Sequence, residues 1–261
     1  MRRFALSPLY RVYDRILLGQ IQASPVPRHI GIILDGNRRY GLQQSMAELE
    51  DAYRAGAEKL DALLDWCAAR GISAVTLWVL STDNLNRNPA EVSAILSAVE
   101  RKLGSLASDP HIQRRRVNVK TVGRLELLAP SLLAAAKAAE AATASNDGIR
   151  LVIAAAYSGR DEIVDAVRAL LTECAGTGAD LRSATAAVTS EGIARHLYAP
   201  DLPEPDLIIR TSGEIRLSGF LLWQCVHSEF YFTDVLWPAL RRTDFFRAVR
   251  SYQQRRRRYG R

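Results

Sequence analysis

Three short segments concentrate side chains that could handle phosphate. The first, Asp35-Gly36-Asn37-Arg38-Arg39-Tyr40, joins one carboxylate to a glycine-containing turn and two guanidinium groups. Such a turn can aim backbone amides at an anion, arginine can clamp phosphate oxygens, and a carboxylate is the hard oxygen donor magnesium prefers. Alone, the hexapeptide equally fits an ordinary strand-to-helix turn with Asp35 as cap and the arginines solvated. The second, Ser81-Thr82-Asp83-Asn84-Leu85-Asn86-Arg87, has six hydrogen-bonding residues in seven. Asp83 and Asn86 are read as caps for the helix that Pro89 opens. The third, Arg210-Thr211-Ser212-Gly213-Glu214-Ile215-Arg216-Leu217-Ser218, sets two arginines six apart with hydroxyls and glycine between them. That set suits a diphosphate, whose several anionic oxygens need neutralising at once. Its competing use is a surface loop closed on itself through Glu214.

Combined, Arg39, Arg87, Arg210 and Arg216 around Asp35 match diphosphate groups bound with a divalent cation. No Walker lysine loop and no GxGxxG follow the first strand, which disfavours a kinase or a nicotinamide enzyme. No Gly-x-Ser-x-Gly elbow is present for a serine hydrolase. His29, His111, His196 and His227 have no metal-ligand spacing, and Cys225, His227, Trp223, Tyr231 and Trp237 are read as core or subunit contacts.

Each segment follows an apolar strand. Strands are expected at 29–34, 73–80, 117–122, 149–156, 207–209 and 230–232, with helices at 48–69, 89–106, 130–144, 161–173 and 191–198 and an arginine-laden helix at the end. In the helix over 48–69, Tyr53 falls in the apolar stripe with Leu49, Ala52, Gly56 and Leu60. Strands separated by helices predict an α/β fold, a single domain over 1–261 with a mostly parallel central sheet flanked by helices. Residues 1–27 form an N-terminal extension and 241–261 a basic C-terminal helix and tail. In such sheets ligands bind at the carboxyl ends of strands.

The 261 residues, 48% hydrophobic and 24% charged, can build a core. Residues 241–261 hold nine arginines and one acid, so that tail carries +8 and the rest of the chain −1 of the net +7. A nucleic-acid binder would spread its basic residues along a groove; no nucleic-acid partner is expected, and the tail is a candidate for peripheral membrane contact. Three scattered cysteines frame neither zinc nor disulfides, which fits the cytoplasm. No signal-type apolar core and no membrane span is evident.

Together these motifs resemble the cis-prenyltransferase (undecaprenyl diphosphate synthase) family from about residue 28 to 260. The resemblance rests on HIGIILDGNRR (29–39), 81–87 with Glu91, YSGR (157–160), 210–218, FLLWQ (220–224), Glu229, YFTDVLWP (231–238) and Arg258-Tyr259-Gly260. Both termini look most like the bacterial short-chain Z-farnesyl diphosphate synthases. The resemblance implies a homodimer with a hydrophobic tunnel, using Mg2+ and prenyl diphosphate substrates. It implies that Asp35 binds magnesium, with Gly36, Asn37 and Arg39, flanked by Arg38 and Tyr40, on the allylic diphosphate. Arg210, Arg216 and Ser218 would hold the second diphosphate, and Ser81 with Asn84 would form a proton relay supported by Arg87 and Glu91. Glu229 would act near the metal, and Arg258 with Gly260 would reach toward the partner subunit's site.

The chain departs from the family's usual pattern at Tyr40, where tryptophan is common, and at Tyr53, where histidine is common. Residues 42–51 lack basic and glycine residues and carry three acids, and Ile215 replaces a polar residue. Leu80 and Leu85 stand where long-chain members have aromatics. Two reactions follow: condensation of isopentenyl diphosphate with a C5 to C15 allylic diphosphate, or an irregular head-to-middle coupling of the lavandulyl type. A non-catalytic partner subunit is a third reading, and the retained Asp35 motif weighs against it.

Overall fold

The computed structural model describes residues 15–21 and 25–255. Six strands form one sheet in the order β3-β4-β2-β1-β5-β6, and every neighbouring pair is parallel. They are β1 His29–Ile33, β2 Ala74–Trp78, β3 Asn118–Val122, β4 Arg150–Ala154, β5 Leu207–Arg210 and β6 Glu229–Phe232. β1, β2 and β5 are buried at every position, as continuous apolar runs covered on both faces should be. β6 lies at the sheet edge and is half-buried throughout.

Between the strands run α1 Asn37–Gln43, α2 Leu49–Ala68, α3 Pro89–Ser108, α4 Pro110–Arg114, α5 Pro130–Thr143, α6 Gly159–Gly176, α7 Leu181–Ala187 and α8 Ser190–Ala194, and α9 Arg242–Gln254 follows β6. Residues 15–21 are also helical. On one face of the sheet, Leu60, Leu63 and Leu64 of α2, Leu103 and Leu106 of α3, and Phe245 and Phe246 of α9 share a core with Ile30, Ile32, Val75 and Leu77. The opposite face is covered by Tyr157, Phe220 and Leu221 over Ile33, Trp78 and Ile208. There Trp78 stacks on Phe220 with centroids 5.4 Å apart. Buried Glu162 accepts from the Tyr157 hydroxyl, from Gln224 Nε2 at 3.0 Å and from the Tyr198 amide at 3.0 Å. The YSGR and FLLWQ stretches therefore tie this second layer together. Among the described residues no helix is long and apolar enough to cross a membrane.

Several boundaries differ from the expectation. The segment at 35–40 is a turn only as far as Gly36, and α1 starts at Asn37; its single buried residue is Gly41, so it carries no apolar stripe to read. The cap of α3 is Asn88, whose side chain accepts from the Ala90 amide at 2.9 Å, whereas Asp83–Asn86 form a 3₁₀ turn of their own. The helix expected over 191–198 is confined to Ser190–Ala194, and α7 was not anticipated because it buries no residue at all.

Candidate active site

β2, β1 and β5 are adjacent and parallel, so the loops that follow them emerge at one edge of the sheet. Thr211 staples two of these loops: its Oγ1 accepts from the Asp35 amide at 3.0 Å and donates to the Asp35 carbonyl at 2.7 Å. Arg39 adds a second link, donating to the Ser212 carbonyl at 2.8 Å. Between the loops opens a cavity of about 890 Å³.

Arg210 lies at its centre, level with Ile33 across the β1–β5 ladder. Its side chain is only 5% exposed, and Nη2 contacts Asp35 Oδ2 at 2.9 Å. Nη1 donates to the Arg216 carbonyl at 2.6 Å and to Ser218 Oγ at 2.9 Å, while Nε is buried without a partner. One guanidinium thus joins the Asp35 loop to the 216–218 loop. Arg216 is exposed and pairs with Glu214. Ser212 and Ser218 hold positive φ values of 79° and 51°, a conformation non-glycine residues rarely adopt. Such strain persists where surrounding contacts impose it, often at binding loops.

Two glycines are required by geometry. Gly36 has φ 103°, and a Cβ there would meet Leu236 at 2.8 Å. Gly56, on α2, faces Asn37: a Cβ would lie 2.2 Å from Asn37 Oδ1. Close approach lets Asn37 donate to the Leu34 carbonyl at 3.1 Å and fixes the first turn of α1. That turn has no side-chain cap, so its amides are open to an anion.

Across the cavity, Asn84 and Ser81 face each other. With the Asn84 oxygen turned to the guanidinium, it accepts from Arg87 Nε at 3.1 Å and Nη2 at 2.9 Å, and its nitrogen donates to Ser81 Oγ at 3.2 Å. Arg87 also donates to Glu91 Oε1 at 3.1 Å, and Arg38 approaches Glu91 Oε2 at 3.6 Å. Glu91 is 8% exposed, and Tyr53 donates its hydroxyl to Oε1 at 2.9 Å. Burial first, then the Glu91 carboxylate, push the Tyr53 phenol well above its ordinary value, so it stays a donor. Ile33, Leu34, Trp78, Val79, Leu80 and Ile95 supply an apolar wall to the same cavity.

The structure therefore brings Asp35, Gly36, Asn37, Arg38, Arg39, Ser81, Asn84, Arg87, Glu91, Arg210, Arg216 and Ser218 to one cavity. Tyr40 does not line it. Glu229 is not brought to this cavity within one chain: it opens β6, in register with Leu207 and hence with Ile30, about 10 Å of strand back from the Arg210 level. Its carboxylate takes Arg255 Nη1 at 2.6 Å instead. Within one chain the sheet places it toward the wrong edge. Arg258 and Gly260 lie outside the described residues. Sequence reasoning marked Tyr53 as a departure and expected an apolar tunnel, but missed that Tyr53 and Gly56 border this polar cavity; the four-residue spacing of Arg87 and Glu91 is a signal that could have pointed to the ion pair Tyr53 joins.

The donor set fits a divalent cation that arrives on a diphosphate. Asp35 offers one carboxylate, engaged through one oxygen by Arg210 and 34% exposed toward the cavity. Among the described residues no cluster of three or more acidic, histidine or cysteine ligands exists. Asp35 would hold such an ion together with phosphate oxygens and water, since magnesium is commonly bound through one or two carboxylates rather than by a protein cage.

Residues 33–260 match the family described as undecaprenyl diphosphate synthase. The chain is 48% identical over 261 residues to an isoprenyl transferase of Thermus thermophilus, covering 100% of this chain and 99% of that one. It is 48% identical to a (2Z,6E)-farnesyl diphosphate synthase of Thermobifida fusca, covering 97% of each. Among solved structures, the lavandulyl diphosphate synthase of Lavandula x intermedia in complex with dimethylallyl diphosphate is similar with TM-score 0.81 and 28% identity, over 90% of this chain and 99% of that one.

Proposed function

The chain belongs to the undecaprenyl diphosphate synthase family of cis-prenyltransferases, and on that premise we propose that it condenses isopentenyl diphosphate with a C5 to C15 allylic diphosphate, releasing pyrophosphate. The observation that carries this reading is Arg210, bonded at once to Asp35 and to Ser218. It sits where two diphosphates would meet. The allylic diphosphate lies against the first-turn amides of α1 and Arg39; the second lies against Arg210, Arg216 and Ser218. Asp35 would hold a magnesium ion there, and that ion would supply positive charge to the diphosphate leaving the allylic carbon. The fixed guanidiniums stabilise that same developing charge without reorganising. Ile33, Leu34, Val79 and Ile95 keep the prenyl chain dry beside it. Ser81, oriented by Asn84, passes the proton lost after carbon–carbon bond formation to a diphosphate oxygen.

A homodimer is part of the proposal, because Glu229 lies away from Asp35 within one chain and a second copy can supply it. Free Cys67, Cys174 and Cys225 agree with work in a reducing cytoplasm.

The head-to-middle reading has its own support in the 0.81 TM-score to the lavandulyl enzyme and in Ile215, which is 79% exposed within the second diphosphate loop. Product analysis separates them. The protein is incubated with dimethylallyl or geranyl diphosphate and magnesium, with and without isopentenyl diphosphate, and the dephosphorylated alcohols are identified. Condensation requires isopentenyl diphosphate, and product formed without it replaces this reading by the irregular one. Asp35→Ala and chelation by EDTA each abolish turnover; activity retained in the variant removes the shared mechanism.

A further inference from the structure

Tyr53 lies outside all three phosphate loops, near the start of α2, yet its hydroxyl enters their hydrogen-bond system. Glu91 Oε1 accepts from Tyr53 at 2.9 Å and from Arg87 Nη1 at 3.1 Å. With its oxygen turned to Arg87, the Asn84 amide accepts from the other two Arg87 nitrogens at 3.1 and 2.9 Å and its nitrogen donates to Ser81 Oγ at 3.2 Å; turned the other way, the oxygen accepts from the Ser81 amide at 3.3 Å. A continuous chain of hydrogen bonds thus runs Tyr53, Glu91, Arg87, Asn84, Ser81. Its last four members belong to the β2–α3 loop and the first turn of α3. Tyr53 of α2 anchors it to a separate element, as does Arg38 of α1, whose Nη1 stands 3.6 Å from Glu91 Oε2.

The direction of each bond matters. Asparagine's two ends are nearly equal in shape, so its amide turns over easily unless a neighbour distinguishes oxygen from nitrogen. Arg87, donor only, makes that distinction and leaves the Asn84 nitrogen facing Ser81. Arg87 is itself exposed and long, with freedom to swing toward solvent. Buried Glu91 restrains it, and the Tyr53 hydroxyl restrains Glu91.

We propose that Tyr53 is a positioning residue for proton removal: through Glu91 and Arg87 it holds the Asn84 amide in the sense that orients Ser81. This rests on the condensation reading above. In that reaction the new carbon–carbon bond leaves a cation at C3 of the isopentenyl unit. The C2–H bond then breaks, its electron pair forms the C2=C3 double bond, and the proton enters the Ser81 hydroxyl as that hydroxyl passes its own to a diphosphate oxygen. Tyr53 touches none of these atoms.

The test uses full-length protein and isopentenyl diphosphate carrying deuterium at C2. Tyr53→Phe lowers kcat about tenfold, the scale of one hydrogen bond to a charged group. It leaves the KM of both diphosphates within about twofold and enlarges the isotope effect on kcat, because proton loss has become the slow step. Glu91→Gln does at least as much, and the double variant is no slower than Glu91→Gln alone, as for residues acting in series. Additive losses, or a raised KM with an unchanged isotope effect, overturn the proposal. Tyr53→His is the second probe, since a ring N–H still donates to Glu91. It recovers most of the rate, and a loss as large as the phenylalanine variant's overturns the proposal. Melting curves fix an assay temperature at which each variant is folded. No turnover by the parent protein would instead overturn the condensation reading.

Discussion

Asn37 and Gly56 show how little room the first phosphate loop has. Asn37 Oδ1 is buried without a hydrogen-bond partner and occupies the space a side chain at position 56 would need. Gly56→Ala should push Asn37 aside, at a cost of about 1–3 kcal/mol typical of overpacking. The expected result is a lower melting temperature together with a raised KM for the allylic diphosphate, because the α1 amides move with Asn37. A melting curve and steady-state kinetics check both; a variant that loses stability alone would separate the packing of Asn37 from substrate binding. The charged members of this loop were legible in the sequence only in combination with the other two loops, because alone the hexapeptide equally fits an ordinary strand-to-helix turn. Gly56 and Tyr53 were not. Both sit at helical spacing among apolar residues, so their periodicity reads as core, and only the fold reveals that this stripe of α2 borders a polar cavity. Glu229 illustrates the limit of reading one chain: its motif neighbours suggested the metal, yet it opens β6 at the end away from Asp35, and only a second copy could bring it to the site.

At the scale of elements, β1 carries a titratable group of its own. His29 is 3% exposed, with Nδ1 2.6 Å from the Pro203 carbonyl and Nε2 2.9 Å from Thr76 Oγ1. A carbonyl only accepts, so Nδ1 bears the proton and neutral Nε2 accepts from the threonine. Burial holds the imidazole below its ordinary value, against the opposing influence of the Pro203 carbonyl and Asp206. The folded state therefore binds fewer protons than the unfolded state below about pH 6.5, and stability falls as pH drops through that region. The expected outcome is an acid-side decline in melting temperature between neutral pH and pH 5 that flattens in His29→Asn. An equal slope in that variant would assign the decline elsewhere. The strands were legible because buried parallel strands are unbroken apolar runs. α1 and α7 were not, because neither presents an apolar stripe, and the 3₁₀ turn at Asp83–Asn86 has no period to detect.

For the whole molecule, the proposed dimer makes a prediction that no single chain can satisfy. A protein lacking residues 256–261 loses turnover, and so does Asp35→Ala. Refolded together, the two regain activity, because in a mixed dimer one site keeps its own Asp35 and receives an intact tail from its neighbour. Failure to complement, with sedimentation showing that mixed dimers form, would place the tail's role within its own chain. The parallel order also has a consequence for synthesis. β1 sits between β2 and β5, and the partner it needs on one side emerges far later: Arg28 and Asp206, bonded at 2.6 Å, are 178 residues apart. At ribosomal rates of about 5–20 residues per second, that flank of β1 waits roughly 10–40 s for its neighbour. Until then an oily backbone edge is exposed on the nascent polypeptide, a ready target for chaperones or for a misplaced strand of another molecule. Arg210 arrives with β5, so the closing of the sheet and the birth of the charge pair at its mouth are a single folding event.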